Sequence, residues 1–174
     1  MKKQLFVFAL LWMLAPLRQA QAAEYADVFL ADFDRASQKL NDLGDAVPAD
    51  KFSYRPVESV RTVSEVLMHV AIANFLGAKA LGVAAPDYFN PAEMEKKYTS
   101  KEDATRILKE SQEAVRKALV ASKGDLGREV ELFGAKRSGM AVFVLLAGHT
   151  HEHLGQMISY VRSAGITPPW SKKE

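Results

Sequence analysis

Apolar residues at Tyr25, Phe29, Phe33, Ala36, Leu40, Leu43 and Val47 recur every three or four positions, which is one stripe of an amphipathic helix. Pro48 and Pro56 bracket the loop that follows, and Thr62-Val63-Ser64-Glu65 has the form of a capping box. A second helix therefore opens there, with Val63, Val66, Leu67, Val70, Ala73 and Leu76 on its apolar face and Leu81-Gly82 at its end. The spacing predicts a third helix after a further capping candidate, Thr99-Ser100-Lys101-Glu102. It carries Ala104, Ile107, Leu108, Val115 and Ala118 inward and closes at Gly124. The fourth and longest predicted helix runs from about Ser138 to Gly165, ahead of Pro168-Pro169. Val142, Leu145, Leu146, His149, His153, Gln156 and Tyr160 lie along one side of it.

Four apolar stripes without a convincing set of strands predict an all-α fold, a four-helix bundle in which each stripe is buried against the others. Glu129 to Phe133 alternates polar and apolar, but the segment from Gly124 to Ser138 is short and mixed and reads as loop. The connections Val83 to Tyr98 and Asp125 to Arg137 exceed the roughly 2 to 8 residues usual between bundle helices. Such long inter-helix loops are expected either to wall a pocket, with Tyr88, Phe89 and Phe133 lining it, or simply to cap the ends of the bundle.

With 174 residues, 48% of them hydrophobic and 25% charged, the chain supports one domain with a sizeable core. Cysteine is absent, which excludes disulfides, thiolate metal sites and a cysteine nucleophile. The formal charge of +2 includes Lys2, Lys3 and Arg18; without those three it is −1, and the remaining basic residues are scattered among acids. Nucleic-acid binding is not expected. The two lysines, an apolar run from Leu5 to Leu14 and the small residues ending Ala20-Gln21-Ala22 read as a cleavable signal peptide over residues 1–22, followed by a single domain over 23–174. The uncharged stretch from Gln4 to Leu17 spans 14 residues, short of the roughly 20 that a membrane-crossing helix needs. The expected product is periplasmic or secreted, with no stable membrane anchor after cleavage.

All four histidines fall on two of the predicted helices: His69 on the second, and His149, His151 and His153 on the fourth. At 100° per residue His149 and His153 are separated by one turn plus about 40°, so both rings project from one face. His151 sits about 200° from His149 and should point outward. His69 lies on or beside the inward stripe. Three buried imidazoles with unpaired nitrogens would each cost a few kcal/mol, whereas one divalent ion satisfies three nitrogens at once. Hydrogen-bonded core histidines are the competing reading. Glu65, one turn before His69, Glu152, beside His153, and Gln156, two turns from His149, are the candidate catalytic residues, each with an ordinary structural alternative.

The run Gly148-His149-Thr150-His151-Glu152-His153-Leu154-Gly155-Gln156, continuing through Tyr160-Val161-Arg162 to Gly165-Ile166-Thr167-Pro168-Pro169-Trp170-Ser171, resembles the last helix and tail of the DinB-like superfamily. Ser64-Glu65-Val66-Leu67-Met68-His69-Val70-Ala71 resembles that family's second helix with its single histidine. These bundles are distinct from the DNA polymerase of the same name. The resemblance implies metal ligation by His69, His149 and His153, a divalent ion such as zinc or nickel, and for some cytoplasmic members transfer to low-molecular-weight thiols. The export signal departs from those members.

Three neutral imidazoles leave coordination positions for water or substrate, and a cation so held is a strong Lewis acid. The leading expectation is a metal-dependent enzyme acting on a small molecule, by thiol transfer or hydrolysis. The alternatives are a metal-binding module or carrier without turnover, and a structural bundle, monomeric or a homodimer, whose histidines belong to the core. No phosphate loop, dinucleotide fingerprint or helical His-Glu-x-x-His motif is present.

Overall fold

The computed structural model describes the backbone of residues 2–171 and the side chains of 24–171. The export signal read at residues 1–22 lies outside the side chains described. Five helices and a two-stranded sheet follow one another as α1 (Lys2–Ala46), α2 (Val63–Ala80), α3 (Met94–Lys97), α4 (Lys101–Ser122), β1 (Glu129–Leu132), β2 (Ala135–Ser138) and α5 (Gly139–Ser163). The chain is mostly helical rather than all-α, and within residues 23–174 the last helix, α5, is the longest, with 25 residues. Among the described residues no helix is long and apolar enough to cross a membrane.

The four long helices bury the stripes that define them. Alpha-two packs on α4 and α5, and α1 packs on α4 and α5. Phe33, Leu40 and Leu43 of α1 meet Leu67, Met68 and Val70 of α2, Ile107 and Leu108 of α4, and Phe143 and Leu146 of α5 in one core. The stripe of α1 is offset by one residue at its start, since Tyr25 is 48% exposed whereas Ala26 is buried in the core.

Helix ends follow local chemistry. Thr62 caps α2 in a full capping box: its hydroxyl accepts from the Glu65 N–H at 3.2 Å and its own N–H donates to Glu65 Oε2 at 2.7 Å. Ser138 caps α5 through the Ala141 N–H. For α4 the cap falls one residue later than expected, on Ser100, which accepts from the Asp103 N–H. Gly82 and Gly165, at φ +97° and +77°, end α2 and α5 in the left-handed conformation. Gly124 plays no such part; α4 stops at Ser122.

The segment read as loop between α4 and α5 is a β-hairpin, with Glu129 paired to Ser138 and Leu132 to Ala135. Its two-residue turn, Phe133-Gly134, has φ of 53° and 70°, positive at both central positions as the twist of a tight hairpin requires. Ala-Lys-Arg-Ser lacks apolar alternation, and the turn carries Phe where Asn or Asp would have signalled it. Phe133 is 55% exposed at the tip and Phe89 packs on Phe75, whereas Tyr88 lines a pocket with Asn90, Met94 and Tyr98. Tyr88 lies beside Phe75 and Tyr98, with its hydroxyl on Glu110; burial, and then that hydrogen bond and the Glu110 charge, push the phenol pKa upward.

One close approach sets the spacing of the histidine-bearing helices. A Cβ at Gly77 would sit 2.6 Å from Leu146 Cδ1, so α2 and α5 approach closely there and a larger residue would force the Leu146 side chain to shift. Gly77 lies two turns beyond His69 and Leu146 just under one turn before His149.

Candidate metal centre

Alpha-two and α5 bring His69, His149 and His153 together, with one nitrogen from each ring lying within 4.8 Å of the others. Ring centroids are 5.1 Å apart for His69 and His149, 4.8 Å for His69 and His153, and 4.4 Å for His149 and His153. His153 is buried and the other two are half-buried. The Nε2 atoms of His149 and His153 face each other at 3.1 Å. Nitrogens bound tetrahedrally at about 2.0 to 2.1 Å from one zinc ion lie roughly 3.3 Å apart, so this pair is already near ligand spacing.

The outer nitrogens of two rings are held by other side chains. His69 Nδ1 donates to Glu95 Oε1 at 3.2 Å. Gln156 donates from its amide nitrogen to the Tyr160 hydroxyl at 3.0 Å, which turns its oxygen toward His153 Nδ1 at 2.7 Å. Both imidazoles therefore carry their proton on Nδ1 and have their lone pair on Nε2. His149 has no such partner: its Nδ1 is buried without a hydrogen bond.

Electrostatics favour the neutral form of His149 and His69. Burial, followed by the His153, His69 and Arg61 charges, lowers the His149 pKa to about 4. Burial, Arg61 and His153 also lower that of His69, against an opposing pull from Glu95. Neutral imidazoles are the metal-binding form. The three nitrogens within 4.8 Å of one another, the Nδ1 protons fixed by Glu95 and Gln156, and the all-imidazole donor set fit a divalent transition ion, and the group could hold one.

A polar cleft of about 490 Å³ shares Glu95 and Gln156, the partners of His69 and His153, with the centre. Arg55, Glu58, Arg61, Glu65 and Glu95 supply its charges, and Gln156 joins them at the wall. Of the candidate catalytic residues, Glu65 and Gln156 line this cleft, whereas Glu152 is exposed on the helix surface. Glu65 is engaged by the cap of α2 and by Arg55, 3.9 Å away. His151 is exposed, as its helical angle requires, and pairs with Asp32 at 2.8 Å. Glu95 and Arg61 are absent from the sequence reading. Glu95 sits on α3, inside the long connection after α2, and accepts from Arg61 Nε at 3.2 and 3.1 Å as well as from His69. No spacing rule links it to His69; the only hint is a charged residue within an unusually long loop.

Fold and centre together define a mostly helical protein with a three-histidine group suited to a metal ion. The family model described as the DinB superfamily matches residues 32–157, and the chain belongs to that superfamily. It is similar to the uncharacterized protein YjoA of Bacillus subtilis (strain 168), with 29% identity over 132 residues, 73% of this chain and 82% of that one. Among solved structures, a DinB-like protein from Bacillus cereus ATCC 10987 superposes with a TM-score of 0.69 at 20% identity, covering 81% of this chain and 93% of that chain. The YjoA crystal structure from Bacillus subtilis superposes with a TM-score of 0.61 at 25% identity, covering 80% and 92%.

Proposed function

We propose that this chain is an exported four-helix-bundle protein, mature over residues 23–174, that holds one divalent cation through His69, His149 and His153. Zinc and nickel are the ions its donor set suits. In this reading it is an enzyme acting on a small molecule, by thiol transfer or hydrolysis, and it uses no nucleic acid. The observation that carries the reading is the convergence of the three nitrogens within 4.8 Å while Glu95 and Gln156 hold two of the outer nitrogens. A core built for packing alone has no use for that arrangement.

The cation would supply Lewis acidity, favouring the nucleophilic form of water or of a thiol brought from outside. The chain's own residues do the rest. Glu95 and Gln156 fix the tautomers of His69 and His153, Glu65 faces the cleft as the proton acceptor, and the cleft admits the small molecule. The test is elemental analysis of protein purified without a histidine tag, alongside His153→Ala. One ion per chain in the wild type and loss in the variant are expected; equal metal content in both would overturn the reading. Chelator-sensitive turnover in a screen of thiol-transfer and hydrolase substrates separates the enzyme from a carrier, which would bind metal without turnover.

A further inference from the structure

Within the cleft beside the histidines, Arg61 is paired through Nε alone. That atom meets both oxygens of Glu95, at 3.2 and 3.1 Å, and among the described residues its two terminal amino groups have no hydrogen-bond partner. Arg55 donates to the Glu58 carbonyl at 3.2 Å and stands 3.9 Å from Glu65, too long for a hydrogen bond. Val60 is the single aliphatic residue in a lining otherwise charged or polar. The three carboxylates of the cleft outnumber its two guanidinium groups by one, but a divalent ion at the histidines would turn that balance positive. A guanidinium with its terminal nitrogens unoccupied presents the planar fork that matches an oxyanion. A cleft of about 490 Å³ has room for a small molecule.

We infer that this cleft selects a small molecule bearing an oxyanion, carboxylate or phosphate, with Arg61 and Arg55 as its recognition residues and the reacting part of the molecule facing the three histidines. The inference deepens, and for the position of the reacting part rests on, the metal reading above. It narrows the substrates from small molecules in general to anionic ones. Neutral electrophiles and neutral thiol conjugates are excluded as preferred substrates.

The test is a calorimetric titration of the full mature chain with succinate, inorganic phosphate and neutral succinamide, before and after loading with zinc, with metal content measured separately. An anion that bound only to the cation would ignore the arginines, so the decisive comparison is wild type against Arg61→Gln and Arg55→Gln. Arg61→Gln also disturbs Glu95, whereas Arg55 touches no group bonded to a histidine, so the second variant keeps the outcome readable if the first loads metal poorly. The expected result is binding of succinate or phosphate with no detectable succinamide binding, weakened about tenfold in each variant. The order of succinate and phosphate identifies which oxyanion the cleft takes. Affinities unchanged in both variants, or equal for succinate and succinamide, would overturn the inference even where one zinc is bound per chain. Arginine-dependent anion binding by a chain that takes up no zinc would instead uphold the anion site and remove the metal reading.

Discussion

At the scale of single residues, the centre depends on side chains that never reach its middle. Glu95 and Gln156 each hold an outer ring nitrogen, and such partners govern ring orientation and ligand basicity. Replacing Glu95 by Gln keeps the shape but removes the charge that steadies the His69 Nδ1–H, and Gln156→Leu removes the acceptor from His153. Each substitution is expected to weaken metal affinity by about 10- to 100-fold without unfolding the chain. His151→Ala should leave that affinity unchanged, because His151 pairs with Asp32 on the outer surface. Competition against a chromophoric chelator measures all three, and a His151 effect as large as the Glu95 effect would misplace the site.

At the scale of elements, what holds His69 in position is the start of its helix. Thr62 satisfies the Glu65 N–H, Glu65 satisfies the Thr62 N–H, and His69 follows one turn later. Thr62→Ala should cost about 0.5 to 2 kcal/mol in urea unfolding, and the same substitution should loosen metal binding, since the first turns of α2 carry a ligand. Helices of this kind were legible because period and cap agree: Thr62, Ser138 and Gly165 marked real boundaries, and the stripes through Leu67, Ile107 and Leu146 mark real core. The hairpin was not, because its second strand carries no alternation and its turn uses a residue that resists positive φ. That resistance has a measurable consequence. With Phe133 at φ 53° and 55% exposed, Phe133→Asn should raise stability by about 1 kcal/mol by relieving left-handed strain at little packing cost. A lower urea midpoint in the variant would show that the ring is packed after all.

At the scale of the whole molecule, the site was legible where one helix wrote it and illegible where the fold assembled it. His149 and His153 lie four apart on α5, and His69 sits on an apolar stripe, so their common direction follows from helical geometry. Glu95 and Arg61 reach the centre only because α3 and the start of α2 fold beside each other, which no local pattern encodes. The assembled cluster also ties stability to pH. An exposed imidazole in the unfolded chain titrates near pH 6.5, whereas burial and its neighbours hold His149 down to about 4 and shift His69 the same way. Between those values the unfolded chain binds more protons than the folded one, so stability must fall as pH drops from about 6.5 toward 4. Carboxylates add their own acid sensitivity below about pH 5, so the informative quantity is a difference. In chelator-treated protein, the urea midpoint of the wild type should drop more than that of His149→Gln between about pH 7.5 and 4.5. Adding zinc should steepen the wild-type loss further, because protons and the cation compete for the same lone pairs. Parallel pH profiles for the two proteins would mean that His149 titrates as freely in the folded chain as in the unfolded one, and that the rings are not packed together as the structure has them.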